Sequence, residues 1–106
     1  MNNSIQEGRT AAIISYLWWP GLIIAFVMNN KIHNSFTSFH IRQSIGLSIL
    51  SFGIGLLTKF GIPIIADILF LGFFVFLIIG ILGAIKGIEK PIPYIGELFQ
   101  DWFKNI

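Results

Sequence analysis

The chain has 106 residues, of which 55% are hydrophobic and only 11% are charged, and its mean hydropathy is +0.80. Soluble domains carry about 25% charged residues, so this composition excludes a water-soluble domain and indicates a single domain embedded in lipid. A formal charge of only +2 gives no support for nucleic-acid binding, and the absence of cysteine excludes disulfides and cysteine-based metal sites.

The first apolar segment is predicted to span the bilayer over residues 11–30. Between Arg9 and Lys31 lie 21 residues without a charge, and a spanning helix needs about 20 apolar residues. The preceding tail lacks the basic region and cleavage pattern of a signal peptide, so we expect this segment to be retained. Pro20, in the middle of SYLWWPGLII, predicts a kinked helix. The alternative is an interrupted or re-entrant helix at Trp18–Gly21, which is less favoured because non-helical backbone at depth must be shielded by protein.

The second span is predicted over residues 41–59, and the polar stretch SFHIRQSIGL lies at its start. Arg42 is predicted to point toward lipid headgroups, and Gln43 lies within reach of a loop or a neighbouring helix. The preceding segment IHNSFTSF is predicted to run along the membrane interface, with Phe36 and Phe39 inserted in it. At 100° per residue, one face of the second span collects the histidine and small or hydroxylated residues, namely His40, Ser44, Ser48, Ser51, Gly55 and Thr58.

The third span is predicted over residues 63–86 and carries a matching small-residue face. Small residues let membrane helices approach closely, and hydroxyls form hydrogen bonds across the contact. We therefore expect the two faces to pack against each other in a hairpin joined through residues 59–62. The face of the third span consists of Gly72, Gly80, Gly83 and Gly87.

Two polar residues are candidates for chemistry, and a structural role is favoured for both. His40 is predicted to be a hydrogen-bonded residue at the interface, because a proton relay needs a second intramembrane partner and only Asp67 offers one. Asp67 is expected to interact with the helix dipole and the free N–H groups at the start of the third span. His33 and His40 lie about 10 Å apart on a helix, too far to chelate one metal ion.

The C-terminal segment is predicted to form an amphipathic helix over residues 94–105. Pro91 and Pro93 end the third span before it. We expect this helix to lie flat on the cytoplasmic leaflet, and the alternative is that its apolar face docks into a groove of a protein partner. That face consists of Ile95, Leu98, Phe99, Trp102, Phe103 and Ile106, opposite Glu97, Gln100, Asp101 and Lys104.

The distribution of basic residues predicts the orientation, because short cytoplasmic loops are enriched in lysine and arginine. With three spans, the N-terminal tail and the second loop lie on one side and carry Arg9 and Lys59. The first loop and the C-terminal tail carry the other five basic residues, which places the N-terminus outside and the C-terminus in the cytoplasm. These five are Lys31, Arg42, Lys86, Lys90 and Lys104.

The segment SFHIRQSIGL after the first span, together with KPIPYIGELFQ after the third, resembles a family of small bacterial membrane proteins labelled import-component-like. That family is distantly related to the twenty-kilodalton Tic subunit of the chloroplast protein translocon, which has four spans. The resemblance extends from Gly8 to Phe103 and implies a bacterial inner-membrane location and a role beside protein translocation. Trp102 is a further candidate contact with a partner. The residues that carry the resemblance, and that are also possible partner contacts, are Phe39, His40, Arg42, Gln43, Pro91, Pro93, Gly96 and Phe99.

The sequence as a whole predicts an all-α integral membrane protein with three transmembrane helices and a C-terminal interfacial helix. The favoured function is a non-enzymatic inner-membrane subunit that acts by helix packing with a membrane-protein partner, and the resemblance adds protein translocation or insertion. The alternative is a homo-oligomeric pore or small transporter, although charges that would mark a pathway at mid-bilayer are absent from the spans. We predict no catalytic residue, cofactor or metal site, because the sequence shows no nucleophile–base pair, phosphate-binding loop or metal-ligand cluster.

Overall fold

In a computed structural model, residues 3–17 and 19–106 are described, except for the side chains of residues 3–7 and 32. This part of the chain is all-helical, with 79% helix and without a strand. The all-α class predicted from the sequence is therefore confirmed. The helices are α1 (Asn3–Ser15), α2 (Trp19–Ile32), α3 (Ser35–Lys59), α4 (Pro63–Lys86) and α5 (Gly96–Trp102).

The first apolar segment forms two short helices instead of one span. Among the described residues, two helices rather than three are long and apolar enough to cross a membrane, namely α3 and α4, so the three-span prediction is wrong. Helix α1 ends at Ser15 and α2 begins at Trp19; Trp18 itself lies outside the described residues. Pro20 occupies the first turn of α2, where its missing N–H group needs no partner. It therefore starts a new helix instead of kinking an existing one.

Helices α1 and α2 form an antiparallel hairpin whose backbones touch near its tip. Ala11 of α1 and Ala25 of α2 are buried together against Ile41 of α3. At the tip, a Cβ atom added to Gly21 would collide with the carbonyl oxygen of Ile14. Each helix, with 13 or 14 residues, is about 20 Å long, whereas the hydrocarbon core of a bilayer is about 30 Å thick.

The hairpin packs on the N-terminal half of α3, and α1 runs parallel to α3. The Thr37 hydroxyl donates to the carbonyl of Gly8 at 2.9 Å, and the hydroxyl oxygens of Ser15 and Ser44 lie 2.8 Å apart. The end of α1 is thus level with Ser44, about 14 Å from the start of α3. Beyond that level α3 and α4 continue as a two-helix hairpin in a molecule that measures 48 × 22 × 22 Å.

Helix α3 begins six residues before the predicted boundary of the second span because Asn34 caps it. The Asn34 side chain accepts from the backbone N–H of Thr37 at 3.0 Å, and Asn29 accepts from the N–H of Asn34 at 2.8 Å. The segment predicted to lie along the interface is therefore the first turns of α3. Phe36 and Phe39 are buried in the bundle, so their predicted insertion into the membrane interface is wrong.

The outer surfaces of α3 and α4 are apolar and exposed. In the most apolar 18-residue stretch of α4 only 11% of the residues are buried, and the value for α3 is 33%. Monomeric soluble proteins rarely expose a continuous apolar surface of this extent. The large exposed side chains on these two helices include Ile49, Phe52, Leu56, Ile64, Ile68, Leu71, Phe74, Val75, Ile78, Leu82 and Ile85.

Candidate functional site

A buried polar cluster joins the turn after α1, helix α3 and the segment after α4, and we call it the Tyr16–His40–Gln43 cluster. The Tyr16 hydroxyl lies 2.6 Å from Nδ1 of His40, and Nε2 of Gln43 donates to the same hydroxyl at 2.8 Å. On its other side, the His40 ring places Nε2 3.0 Å from the carbonyl oxygen of Ile88. The side chains of His40 and Gln43 are fully buried, with 0% exposure.

The partners of His40 assign its protons. Because the Ile88 carbonyl is only an acceptor, Nε2 of His40 must carry the hydrogen. Nδ1 of the neutral ring is then the acceptor for the Tyr16 hydroxyl, whose oxygen accepts from Gln43. When the imidazole is neutral, each hydrogen bond in the cluster pairs one donor with one acceptor. The cluster is therefore a structural network whose polar groups are all satisfied.

Gln43 extends the cluster to the segment after α4. Its Oε1 atom accepts from the backbone N–H of Ile92 at 2.7 Å, while its amide nitrogen reaches Tyr16. One side chain thus connects the turn after α1 with a loop that has no regular secondary structure of its own. A buried backbone N–H without a partner costs about 1–3 kcal/mol, so Gln43 fixes where the chain turns after α4.

Three aromatic rings surround His40 edge to face. The ring centroids of Phe36, Phe39 and Tyr16 lie 4.7, 5.1 and 5.5 Å from that of His40. Gly83 of α4 lies against the ring as well, since an added Cβ would be 3.5 Å from Cε1 of His40. Of the residues singled out in the sequence, Phe39, His40, Gln43 and Gly83 are therefore brought together in one place.

The small-residue faces of α3 and α4 do not meet along their length. Ser44 contacts Ser15 of α1, and a Cβ added to Gly80 would lie 2.7 Å from the Tyr16 ring. The same addition at Gly55 or Gly72 would meet no atom within 4 Å. The near parts of the two faces therefore meet at His40 and Gly83 and also receive Ser15 and Tyr16, while the far parts are open. Gly87 has φ of +74° and ends α4 in the left-handed conformation.

A laterally open groove of about 570 Å³ lies below the tip of the α1–α2 hairpin, between α3 and α4. The predicted face residues Ser48 and Ser51 lie on its α3 side, and the Ser51 hydroxyl donates to the carbonyl of Ser48 at 2.9 Å. Phe70, Phe73 and Phe74 contribute the α4 side. The groove occupies the place that the second half of a full first span would fill.

Helix α5 docks on α3. Part of the apolar face of α5 therefore contacts α3, and only the rest remains exposed, whereas the sequence predicts that the whole face lies on lipid. Phe99 is buried and packs directly over Gly46, where an added Cβ would collide with the ring. Arg42 donates to Oε1 of Gln100 at 3.3 Å and to the carbonyl of Lys104 at 3.2 Å. Arg42 thus contacts the C-terminal segment of its own chain, while Trp102 stays exposed.

The segment before α5 is shaped by its prolines and Gly96. An added Cβ at Gly96 would lie 2.8 Å from the backbone of Pro91, so only glycine allows this approach. The N–H of Ile95 donates to the carbonyl of Pro93 at 2.9 Å and that of Gly96 to Ile92 at 2.9 Å. The helix that follows covers Gly96–Trp102, which is shorter than the predicted 94–105.

Substituting Gly46 with leucine is expected to release α5 from α3. The Phe99 ring would lose its position, and burial of such a side chain stabilises by about 1.5–3 kcal/mol. Backbone amides of residues 96–102 should then exchange roughly 10- to 100-fold faster in a hydrogen-exchange measurement. Gly53→Leu is the matched control, because a Cβ there meets no atom within 4 Å; equal exchange in both variants would contradict the docking.

The remaining candidate residues lie apart from the cluster. Asp67 is exposed and lies beyond the first turn of α4, which carries no acidic residue. It is therefore too far into the helix for the predicted interaction with the free N–H groups at its start. His33 is exposed in the α2–α3 connection with φ of +47°. Within the described part of the chain no three histidine or acidic side chains are close enough to hold a metal ion.

No family model, no curated protein and no solved structure matches this chain. Its function is therefore inferred from its own residues and their arrangement.

Proposed function

We propose that this chain is a non-enzymatic membrane subunit that acts by helix packing, with two spans and a helical hairpin that enters one leaflet. The observation that carries the proposal is the exposed apolar surface of α3 and α4, which no other described helix covers beyond the tip of the α1–α2 hairpin. In water such a surface is an aggregation liability, whereas in a bilayer it is the ordinary lipid-facing exterior of two spanning helices.

The distribution of positive charge supports an orientation with both ends of the chain in the cytoplasm. The contact between Gly8 and Thr37 brings the start of α1 to the α2–α3 connection, and Arg42 reaches Lys104. The N-terminal and C-terminal regions therefore lie at the same end of the bundle. Six basic residues lie at that end, and only Lys59 lies at the other. Because basic residues are enriched on the cytoplasmic side, this bias favours a cytoplasmic location for the end that carries the six. They are Arg9, Lys31, Arg42, Lys86, Lys90 and Lys104.

The orientation with the N-terminus outside depends on a count of three spans. A hairpin in place of the first span returns the chain to its starting side, so Arg9 joins the other basic residues. The asymmetry then rises from five against two to six against one. We propose a location in the bacterial inner membrane on the basis of the sequence resemblance.

The surface for a partner is proposed on the far halves of α3 and α4. Gly53, Gly55 and Gly72 leave open space there, and small residues allow the backbones of membrane helices to approach closely. An accessory role in protein translocation or insertion is proposed from the resemblance of SFHIRQSIGL and KPIPYIGELFQ alone. The buried cluster and the docked α5 supply rigidity at the opposite, cationic end.

Site-specific photo-crosslinking in native membranes tests the proposed partner surface. A photoreactive residue at the open position Gly72 is expected to capture one discrete membrane protein of a different kind. The same residue at Ala84, which is fully buried, is the control and should crosslink only within the chain. Capture of identical chains from Gly72 would instead favour the homo-oligomeric pore.

A further inference from the structure

We propose that this protein is a membrane wedge, wider in the cytoplasmic leaflet than in the opposite one, that gathers where the membrane curves outward on the cytoplasmic side. The inference rests on the proposed embedding of α3 and α4 in the bilayer. It adds a function that helix packing does not require, namely recognition or generation of curvature. Its basis is the depth at which each helix begins and ends.

The α1–α2 hairpin enters the hydrocarbon region and stops about halfway through it. Its tip is apolar, with Leu17 64% and Trp19 56% exposed, whereas turns in water are built from glycine, asparagine, aspartate and serine. The opposite end of the hairpin carries Asn29, Asn30 and Lys31. Because the tip is level with Ser44 and α3 ends at Lys59, about 22 Å of α3 continues beyond it.

The outer face of α2 also indicates that the hairpin enters the hydrocarbon region of the bilayer. Its large apolar side chains point away from the bundle and are exposed, a pattern that fits contact with lipid along the length of the helix. Residues of this face are Ile23, Ile24, Phe26 and Val27. A hairpin lying on the membrane surface would instead expose one polar face along its length.

The cross-section therefore differs between the two leaflets. At the cationic end, α1, α2, α3 and α4 pass side by side, while beyond the tip only α3 and α4 continue. Two additional helices of about 10 Å diameter add roughly 160 Å² to one leaflet. Leu98 and Trp102 of α5 are exposed beside this end, where an amphipathic segment inserts between headgroups.

The wide end is rigid, so lipids must accommodate it. The Tyr16–His40–Gln43 cluster joins the turn after α1 to α3 and to the segment after α4. The close approach of Gly8 to Asn34 holds the hairpin against the start of α3, and that of Gly21 to Ile14 holds its two helices together. A packed interior deforms little. Extra area in one leaflet spreads the lipids of that leaflet, and the bilayer bends to become convex on that side.

The test measures how the full chain distributes between a giant phosphatidylcholine vesicle and a thin tether pulled from it. A fluorophore at the C-terminus and a membrane-impermeant quencher added outside distinguish the two insertion orientations. Molecules with the C-terminus outside should be enriched on the tether, and molecules with the C-terminus inside should be depleted. An equal distribution of the two orientations would overturn the wedge.

A second measurement checks the depth of the tip. With Trp18→Phe and Trp102→Phe, Trp19 is the remaining tryptophan, and its fluorescence is quenched by phosphatidylcholine brominated at known acyl positions. Quenching should be strongest for bromine near the end of the acyl chain; strongest quenching near the headgroup would place the tip at the surface and overturn the wedge. Release of the chain from vesicles by alkaline carbonate would show that α3 and α4 are not embedded in the bilayer. Failure of the proposed function is thereby distinguished from failure of the wedge alone.

Discussion

Replacing His40 with leucine is expected to lower the free energy of unfolding by about 2–4 kcal/mol. Leucine fills a similar space but leaves the Tyr16 hydroxyl without its acceptor and the Ile88 carbonyl without its donor. Each buried polar group deprived of its partner costs about 1–3 kcal/mol. Because the ring joins α1 to the end of α4, the loss falls on contacts between segments far apart in the sequence.

Titration from mild detergent into sodium dodecyl sulfate, followed by circular dichroism, measures this effect. The second histidine provides the control, since His33 is exposed in a connection between helices. His33→Asn suits its positive φ and should change stability by less than about 0.5 kcal/mol. Equal stability of the His40→Leu variant and the unmodified chain would show that the buried cluster does not hold the bundle together.

Replacing Gly21 with leucine is expected to open the α1–α2 hairpin at its tip. The added Cβ collides with the carbonyl oxygen of Ile14, and a collision with backbone cannot be relieved by a rotamer change. Overpacking costs about 1–3 kcal/mol, and a backbone collision belongs at the upper end of that range. Separation of α1 from α2 also exposes Ala11 and Ala25, which are both fully buried.

The detergent titration used for His40 measures this loss too, and Gly55→Leu is its matched control. The Gly55 position is in a helix and has no atom within 4 Å of an added Cβ. Leucine is a better helix former than glycine by up to about 1 kcal/mol, so this control should be neutral or slightly stabilising. A Gly21→Leu variant as stable as Gly55→Leu would show that the two short helices do not touch as described.

The sequence predicts α4 well because hydropathy and length dominate there. Helix α4 begins and ends at Pro63 and Lys86, the residues predicted for the third span. The proline allows the first turn, and Gly87 ends the helix in the left-handed conformation. These signals are local, so they need no knowledge of neighbouring helices.

The same rules leave an interrupted or re-entrant first segment as the less favoured alternative, although the structure has two helices there. Residues 11–30 satisfy the length and composition of a span, and only the break around Pro20 distinguishes them from one. What makes the turn stable is contact between residues distant along the helices, such as Gly21 against Ile14 and Gly8 beside Asn34. Small residues at those positions are a signal, but their partners are known only from the packed structure.

The candidate site shows the same limit. The helical wheel places His40 and Ser44 on one face of α3, yet it does not say which helix that face meets. In the bundle the face receives Tyr16, which directly follows α1 and which no sequence pattern singles out. Gly46, on the opposite side of the wheel, is the position on which Phe99 packs. Periodicity identifies faces, whereas the partner of each face depends on where the first segment turns.

Accessibility of three introduced cysteines to an impermeant maleimide, in sealed membrane vesicles of known orientation, tests the proposed re-entrant hairpin most directly. The chain has no cysteine of its own, so one appended to the N-terminus, one at Phe60 and one at Asn105 report three separate positions. The hairpin predicts that the N-terminal and Asn105 cysteines react from the cytoplasmic side and the Phe60 cysteine from the other. Labelling of the N-terminal and Asn105 cysteines from opposite sides would mean that residues 11–30 cross the bilayer, and would contradict the structure at its defining feature.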